Sequence, residues 1–521
     1  MIKSRKEQVM EDVVRFGLVC LVGVLATALS GSASAAVWYA STGQGASDAN
    51  PGTAERPVAT VAKAVSLAKP GDTVVFRAGA YPCSEVRVPD GMPDRPIVVR
   101  SEGKGRVIFT NDGRSDALYP GSYNTIDRIE VEMSSDDPQG AAVSMSRKEH
   151  VTIRNCRFCA CQYGVRADRT HYLTVENCEA AYSGAVGIQL TGSGDGPEGH
   201  WDPEDQCKHV EIRNCYLHDA GWNREGTEGY GINAYGAVEN LVIEHCQIDN
   251  SSGDGVLYED WGTHTTARHN VIRGTGIAAI WIDNASMSLF EGNYLEANNV
   301  CVWLSGEESS NRFLSDFVAV RNNIIVHNDY APFAAIEPDH VYGRTIFLIT
   351  SNTRDTYFDN NTVVFSNCER VVGVQYRPPL TDYRNIWFRN NIFWGNTGGV
   401  GMDEGVDASQ FHFLNNLWDK SYAGDPQAKS GDPLFADPQA RTPDGYKLQA
   451  GSAAIGQGML LYENPLDFWS APRPHLSQTE KYDIGAHEFG AAGAAHAGLD
   501  RSSFPYEVPA FELRFKARPP R

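Results

Sequence analysis

Positive charge is scarce in this sequence, and lysine is missing altogether from residues 209 to 419. The chain has 45 lysines and arginines against 65 aspartates and glutamates, which gives a net charge of −20. Such a surface repels polyanions, so nucleic acid and anionic membranes are poor partners. A strongly polyanionic ligand would need a local basic patch or bound Ca²⁺. The lysine gap also means that the middle of the chain has no amine to serve as a base.

Long hydrophobic runs are missing as well. The apolar stretch over residues 16–29 is shorter than the roughly 20 residues that a membrane span needs. It follows Lys3, Arg5 and Lys6 and precedes Ala33-Ser34-Ala35, a pattern typical of a signal peptide over residues 1–35. We therefore expect a secreted or periplasmic protein with no membrane attachment after cleavage. The alternative is an uncleaved N-terminal anchor.

The eleven cysteines show no spacing that makes a zinc site. Four of them belong to a short repeat whose ten copies include VTIRNCRF, LVIEHCQI and IWFRNNIF. The aligned column reads Cys156, Cys178, Cys215, Cys246, Asn270, Asn293, Asn323, Asn361, Asn391 and Asn416. Repetition of one short motif along the chain indicates a solenoid. The alternation of apolar and polar residues inside each copy predicts strands. We expect the cysteines to be free inward-facing thiols. The asparagines should occupy left-handed turns and bond along the stack.

A second strand precedes most copies, and its period of two gives two outward-facing columns. The first column is Arg166, Gln189, Asn233, Leu257, Trp281 and Trp303. The second is Asp168, Thr191, Tyr235, Glu259, Asp283 and Ser305. The two tryptophans, with Tyr235 nearby, predict a flat aromatic strip that contacts sugar rings. The alternative is that a loop covers them as ordinary core.

These patterns divide the mature chain into four segments. Residues 36–72 are predicted to be an N-terminal cap, with a helix over residues 60–69 because apolar residues recur there at helical spacing. Residues 73–418 form the coils and residues 419–489 a closing segment. The remaining residues, 490–521, begin Ala/Gly-rich and are predicted to be a mobile tail.

The start of the mature chain (YASTGQGASDANPGTAERP), the repeats and the ending (DPLF, GSAAIGQG, DIGAHE) resemble bacterial secreted right-handed parallel β-helix proteins of the pectate-lyase type. The resemblance covers nearly the whole mature chain. It implies an all-β solenoid with an N-terminal capping helix and a C-terminal closing segment. It also implies a carbohydrate polymer or oligosaccharide as the partner. That fold hosts polysaccharide lyases, uronan epimerases and glycoside hydrolases, so it does not select the activity.

Carboxylates concentrate on the same coils as the aromatic strip. They are Asp254, Glu259, Asp260, Asp283, Glu307 and Glu308. Adjacent coils place equivalent side chains about 5 Å apart, which is the separation of the two carboxylates in a retaining glycosidase. The alternatives are a Ca²⁺ site and solvated surface acids.

The stretch GVLYEDWGTHTTARHNVIRGTGIAAIWID resembles the active-site coils of the β-helix glycosidases that include β-xylosidases and α-fucosidases. This resemblance implies Asp260, followed by Trp261, as the nucleophile. It implies Asp283 as the acid, at a position where the family usually has Glu. The strand register instead pairs Glu259 with Asp283, so Glu259 is a rival nucleophile.

The sequence therefore predicts a secreted glycoside hydrolase, with catalysis by Asp260 or Glu259 together with Asp283. The predicted substrate contacts are Tyr235, Trp261, His264, Trp281, Trp303 and Glu307. No cofactor or metal site is expected, although Ca²⁺ is possible. One alternative is a Ca²⁺-assisted lyase or epimerase with an arginine base or with Tyr235 and a nearby histidine; the lysine gap argues against a lysine base. The other is a non-catalytic carbohydrate-binding surface protein.

Overall fold

The chain winds through three parallel sheets, and each regular coil gives one strand to each of them. The computed structural model describes residues 35–103, 105–192, 205–221, 228–259, 262–306, 315–328, 344–474 and 482–493. Residues 1–34 and 494–521, which carry most of the predicted signal peptide and tail, lie outside the described residues, as do Asp260, Trp261 and Glu307. The predicted parallel β-helix is confirmed.

Sheet A has 15 strands and includes the repeat motif. Its strands are Val37–Ala40, Thr73–Phe76, Ile97–Ser101, Asn124–Asp127, Glu149–Arg154, His171–Glu176, Cys207–Arg213, Val238–Glu244, Thr266–Arg268, Leu289–Glu291, Ser315–Asp316, Ala319–Arg321, Thr353–Asp359, Arg384–Arg389 and Phe411–Leu414. Val37–Ala40 pairs with Thr73–Phe76, so the first strand precedes the predicted start of the coils.

Sheets B and C complete each coil, with 13 and 12 strands. Sheet B consists of Gly79–Pro82, Val107–Asn111, Glu130–Met133, Arg157–Cys159, Glu179–Ala181, Tyr216–His218, Gln247–Asp249, Val271–Arg273, Tyr294–Glu296, Ile324–Val326, Thr362–Val364, Ile392–Trp394 and Leu417–Trp418. Sheet C consists of Val86–Arg87, Leu118–Tyr119, Ala141–Ser146, Tyr163–Asp168, Val186–Thr191, Tyr230–Tyr235, Val256–Glu259, Ala278–Asp283, Val300–Ser305, Thr345–Ile349, Arg370–Val374 and Gly399–Met402.

The core lies inside the coil and is aliphatic where period two predicts it to be. Val165, Ala167, Ile188 and Leu190 on sheet C, for example, are all buried in one continuous hydrophobic cluster. Burial of such side chains is the main favourable contribution to the folding free energy. The four column cysteines are buried free thiols, as expected.

The asparagine column forms a ladder of amides inside the coil. Each Nδ2 donates to the Oδ1 of the next asparagine, at 2.9–3.0 Å from Asn270 through Asn416. The predicted stacking is thus confirmed, but the predicted left-handed turn is wrong by one position. The residue before each column member takes the positive φ, as in Asn155 at 56° and Asn390 at 55°. The column side chain itself points inward, where backbone and amide bonds satisfy it.

The two ends of the coil are packed differently. One α-helix, Val61–Ser66, is present within the predicted 60–69, and Thr60 caps it by accepting from the Lys63 N–H. Short 3₁₀ turns occur at Ala408–Gln410, Pro438–Ala440 and Pro443–Tyr446. Residues 457–474 and 482–486 lie along the late coils, where Asn390 and Asn415 donate to the carbonyls of Met459 and Gln457, both at 2.7 Å.

None of the helices in the described part of the chain is long and apolar enough to cross a membrane.

Candidate active site

The outward face of sheet C carries both predicted columns in the predicted register. Tyr235 is paired with Glu259, and Glu259 with Asp283. In the neighbouring column, Trp281 is paired with Trp303. Parallel strands bring equivalent residues to the same height on adjacent coils. The structure therefore brings Tyr235, Glu259 and Asp283 together as three consecutive members of one column.

Asp283 is held by a short chain of hydrogen bonds. The Ser305 hydroxyl donates to Asp283 Oδ1 at 2.7 Å, and the Trp281 indole N–H donates to Ser305 Oγ at 2.8 Å. Asp283 is only 7% exposed, whereas Glu259 is half-buried. The first carboxylate is thus fixed by its neighbours, and the second is the more accessible.

The tryptophan strip exists, but only one of its rings is accessible. Trp281 and Trp303 are stacked with centroids 4.0 Å apart and planes at 2°. Trp303 is 1% exposed, packs against Leu348, and donates its indole N–H to Thr350 Oγ1 at 2.9 Å. Neighbouring side chains therefore cover the Trp303 ring, and its sugar contact stays a prediction. Trp281 remains half-buried.

A third column on the same face contains Asp254, which the sequence places among the clustered carboxylates without giving it a role. Asp254 is completely buried; its Oδ1 accepts from the Ala278 N–H at 2.7 Å, and its Oδ2 has no hydrogen-bond partner among the described residues. Burial raises the pKa of Asp254 well above its usual range, and Glu228 and Glu259 add to this against the backbone bond. Tyr230 donates its hydroxyl to Glu228. The sequence could have indicated this column, because Tyr230 stands three residues before Asn233 and Asp254 stands three residues before Leu257.

The early coils of the same face carry an ion pair instead. Arg166 Nη2 donates to Asp116 Oδ2 at 2.6 Å, and the other oxygen of Asp116 accepts from the Ala141 N–H at 2.8 Å. Asp116 thus binds the backbone of the next coil as Asp254 does, but it also has a cation. The ion pair therefore gives the buried carboxylate of Asp116 a cationic partner on sheet C.

The charges on sheet A alternate in sign from coil to coil. The outward residues Asp127, Arg154, Glu176, Arg213, Glu244, Arg268, Glu291, Arg321, Asp359 and Arg389 share one column. Five ion pairs join them, from 2.6 Å for Arg389 with Asp359 to 3.4 Å for Arg213 with Glu176. In the sequence, this charge alternation is found at the residue two places before each member of the Cys/Asn column. Against this pattern, two adjacent acids on sheet C stand out.

The remaining predicted site residues either lie away from the acidic column or fall outside the described residues. His264 is exposed, at the start of sheet A and around the corner from the acidic column, with a φ of 59°. The described residues hold no group of three or more His, Cys, Asp or Glu side chains suited to a metal ion. The possible role of Ca²⁺ and the roles of Asp260, Trp261 and Glu307 stay predictions.

The sequence matches the family model "Right handed beta helix region" over residues 106–272 and 141–424. The chain belongs to the right-handed β-helix family. This β-helix has no match among curated proteins.

Solved structures with the same fold include enzymes of two classes. One is a GH136 lacto-N-biosidase from Eubacterium ramulus, with 14% identity, coverage of 71% of this chain and 67% of that chain, and a TM-score of 0.52. Another is the PL6 family alginate lyase AlyGC, with 14% identity, coverage of 74% and 53%, and a TM-score of 0.54. A mannuronic acid specific polysaccharide family 6 lyase from human gut microbiota has 14% identity, coverage of 76% and 91%, and a TM-score of 0.51. At this identity the similarity establishes the fold alone.

Proposed function

We propose that this β-helix protein is an exported glycoside hydrolase that acts on a neutral or weakly charged glycan. The observation that carries the proposal is the Glu259–Asp283 pair on adjacent coils, because strands about 4.8 Å apart bring two acids close to the spacing of a retaining pair. Adjacent like charges are destabilising in a sheet, and the column of alternating acids and arginines on sheet A avoids them. Trp281 and Tyr235 supply aromatic surface beside the pair.

In the proposed reaction one carboxylate attacks the anomeric carbon and the glycosidic oxygen leaves. The other carboxyl group first protonates that oxygen and then, as the base, activates the water that releases the sugar. We assign the acid/base role to Asp283, whose orientation Ser305 fixes. The nucleophile is Glu259 or Asp260.

Substituted enzymes separate these roles. Asp283→Asn should lose activity on natural glycans but recover much of it on an aryl glycoside with a good leaving group, because that substrate needs no protonation. Glu259→Gln or Asp260→Asn, whichever removes the nucleophile, should lose activity on both substrates. Full activity of Asp283→Asn on natural glycans would eliminate the assignment.

The second candidate is a lyase or epimerase, and the folds of the two PL6 lyases keep it open. Digestion of a polysaccharide panel distinguishes the classes. Hydrolysis gives reducing ends without ultraviolet absorbance, whereas elimination gives unsaturated uronate ends that absorb. Loss of the unsaturated product on chelation would favour a Ca²⁺-assisted lyase. Binding without any turnover would favour the third candidate, a carbohydrate-binding surface protein.

A further inference from the structure

Four aromatic rings are stacked on the outside of the coil, where each coil enters sheet A. Tyr123, His150, Tyr172 and His209 follow one another with ring centroids 4.8, 4.4 and 4.7 Å apart. The strand register places them on four successive coils. Tyr172 is 46% exposed, and both histidines are exposed. The row of ring edges therefore faces solvent.

The backbone at these four positions does not favour aromatic residues. Their φ angles are 55°, 55°, 54° and 54°, in the left-handed region that Gly and Asn occupy most easily. On the next coil the same position is Asn240, with φ 55°. The left-handed turn recurs on later coils, as at Met287 and Phe317, so it is a feature of this corner of the coil, and the aromatic residue type is what distinguishes the four positions. Stacking of the rings on one another offsets part of the strain, but it does not require that their edges be exposed.

An open groove of about 570 Å³ runs beside the rings. Its lining residues are His150, Thr152, Tyr172, Thr174, His209, Glu211, Asn240 and Val242. The only carboxylate in this lining is Glu211, whose Oε2 lies 3.2 Å from Arg213 Nη1. The groove therefore offers hydroxyl, amide and imidazole groups, some apolar surface, and little net charge.

We propose that this groove is a second, non-catalytic binding site for an extended, uncharged, hydroxyl-rich glycan. The hydroxyls of Tyr172, Thr152 and Thr174 face a ligand that can both donate and accept hydrogen bonds. Because the rings cover one another's faces, contact with the sugar is made by their edges and by Val242. A polyuronate fits poorly, since Arg213 is already paired. The site lies on sheet A, whereas Glu259 and Asp283 lie on sheet C, so it goes beyond the proposed reaction.

The chain itself suggests mild variants for a test. Tyr172→Asn and His209→Asn place at these positions the residue that the next coil already has there. Phe317→Asn is the matched control, because Phe317 occupies the same left-handed column, with φ 53° and 58% exposure, but does not line the groove. Thermal melting checks that all three variants are folded.

Affinity electrophoresis of the full chain would use gels containing xylan, mixed-linkage glucan, galactomannan or alginate. We expect at least one neutral polymer to retard the protein. Tyr172→Asn should weaken that binding about fivefold and the double variant about tenfold or more, with Phe317→Asn unchanged. Retardation by no neutral polymer, retardation by alginate alone, or unchanged binding by folded Tyr172→Asn and His209→Asn would each overturn the proposal. Loss of turnover in Glu259→Gln with retained binding would show that the two sites are independent.

Discussion

Sheets A and C differ in how charged residues are stacked on adjacent coils, although the same coils build both sheets. Along sheet A an acid is followed by an arginine on the next coil, so stacking residues about 4.8 Å apart brings opposite charges together. Along sheet C the same stacking places Glu259 beside Asp283, and the rest of that column is Asp168, Thr191, Tyr235 and Ser305. A chain that neutralises one face so regularly has no structural reason to place two acids together on another. The difference supports the proposed catalytic use of the two acids.

The largest expected effect is on activity. Asp283→Asn should lower kcat by about 10²–10⁴-fold, the usual contribution of a positioned acid or base. Glu259→Gln should lower kcat at least as much if Glu259 rather than Asp260 is the nucleophile. The melting temperature should stay the same or rise, because like-charge repulsion is relieved. Glu244→Gln, a change of the same type on sheet A, serves as the control and should leave kcat unaltered. Equal kcat for all three variants would mean that the acidic pair is not catalytic.

The next effect is on the stability of sheet A. Arg389→Met leaves Asp359, whose side chain is 3% exposed, as a buried acid without its partner. We expect the free energy of unfolding to fall by about 3 kcal/mol. Arg268→Met breaks a more exposed pair, at 44% and 21%, and should cost only about 0.2–1 kcal/mol. Urea unfolding measures the loss of stability in both variants. Similar losses would show that burial does not determine how much each ion pair of sheet A stabilises the fold.

A buried histidine on sheet B should make the stability of the protein depend on pH. Burial alone would lower the pKa of His218, but hydrogen bonds from its ring to Asp219 and Glu179 outweigh burial and raise the pKa to about 9. Because this lies above the unfolded value of about 6.5, the stabilisation is complete below that pH and disappears as the pH rises through about 9. We expect a loss of roughly 1–3 kcal/mol over this range. His218→Gln should flatten the stability profile; an unchanged profile would contradict the assignment.

The smallest effect compares the two equivalent aspartates of sheet C. Asp116→Asn removes the partner of Arg166 and should cost about 1 kcal/mol. Asp254→Asn should cost less than Asp116→Asn, because burial raises the pKa of Asp254 and favours its neutral form. The stabilisation of the wild type by this group is complete below the unfolded pKa of about 3.9 and is lost as the pH rises above it towards the raised folded value, so the variant should become the more stable protein as the pH rises. Melting temperatures at acidic and neutral pH test this, and a large loss for Asp254→Asn at neutral pH would show that the carboxylate is needed.

Much of the fold and part of the site could be predicted from the repeats. Both outward columns were predicted in the observed register, since period two and repeat spacing leave little freedom in a parallel stack. The alternation of charge on sheet A is equally visible in the repeats, at the residue two places before each column member. Burial of Trp303 was not predictable, because it depends on which side chains pack over the ring. The sequence also did not predict that Asp116 has an arginine partner whereas Asp254 has none among the described residues, since Arg166 is 50 residues away from Asp116.

By itself, the sequence determined the parallel coil, the inward amide ladder and the adjacency of Glu259 with Asp283, because each follows from a local pattern repeated at a regular spacing. The tertiary structure decided which members of those columns are buried, which carboxyls have a cation, and which aromatic rings face solvent. Those properties depend on packing and desolvation among residues from different coils, and no single repeat contains that information.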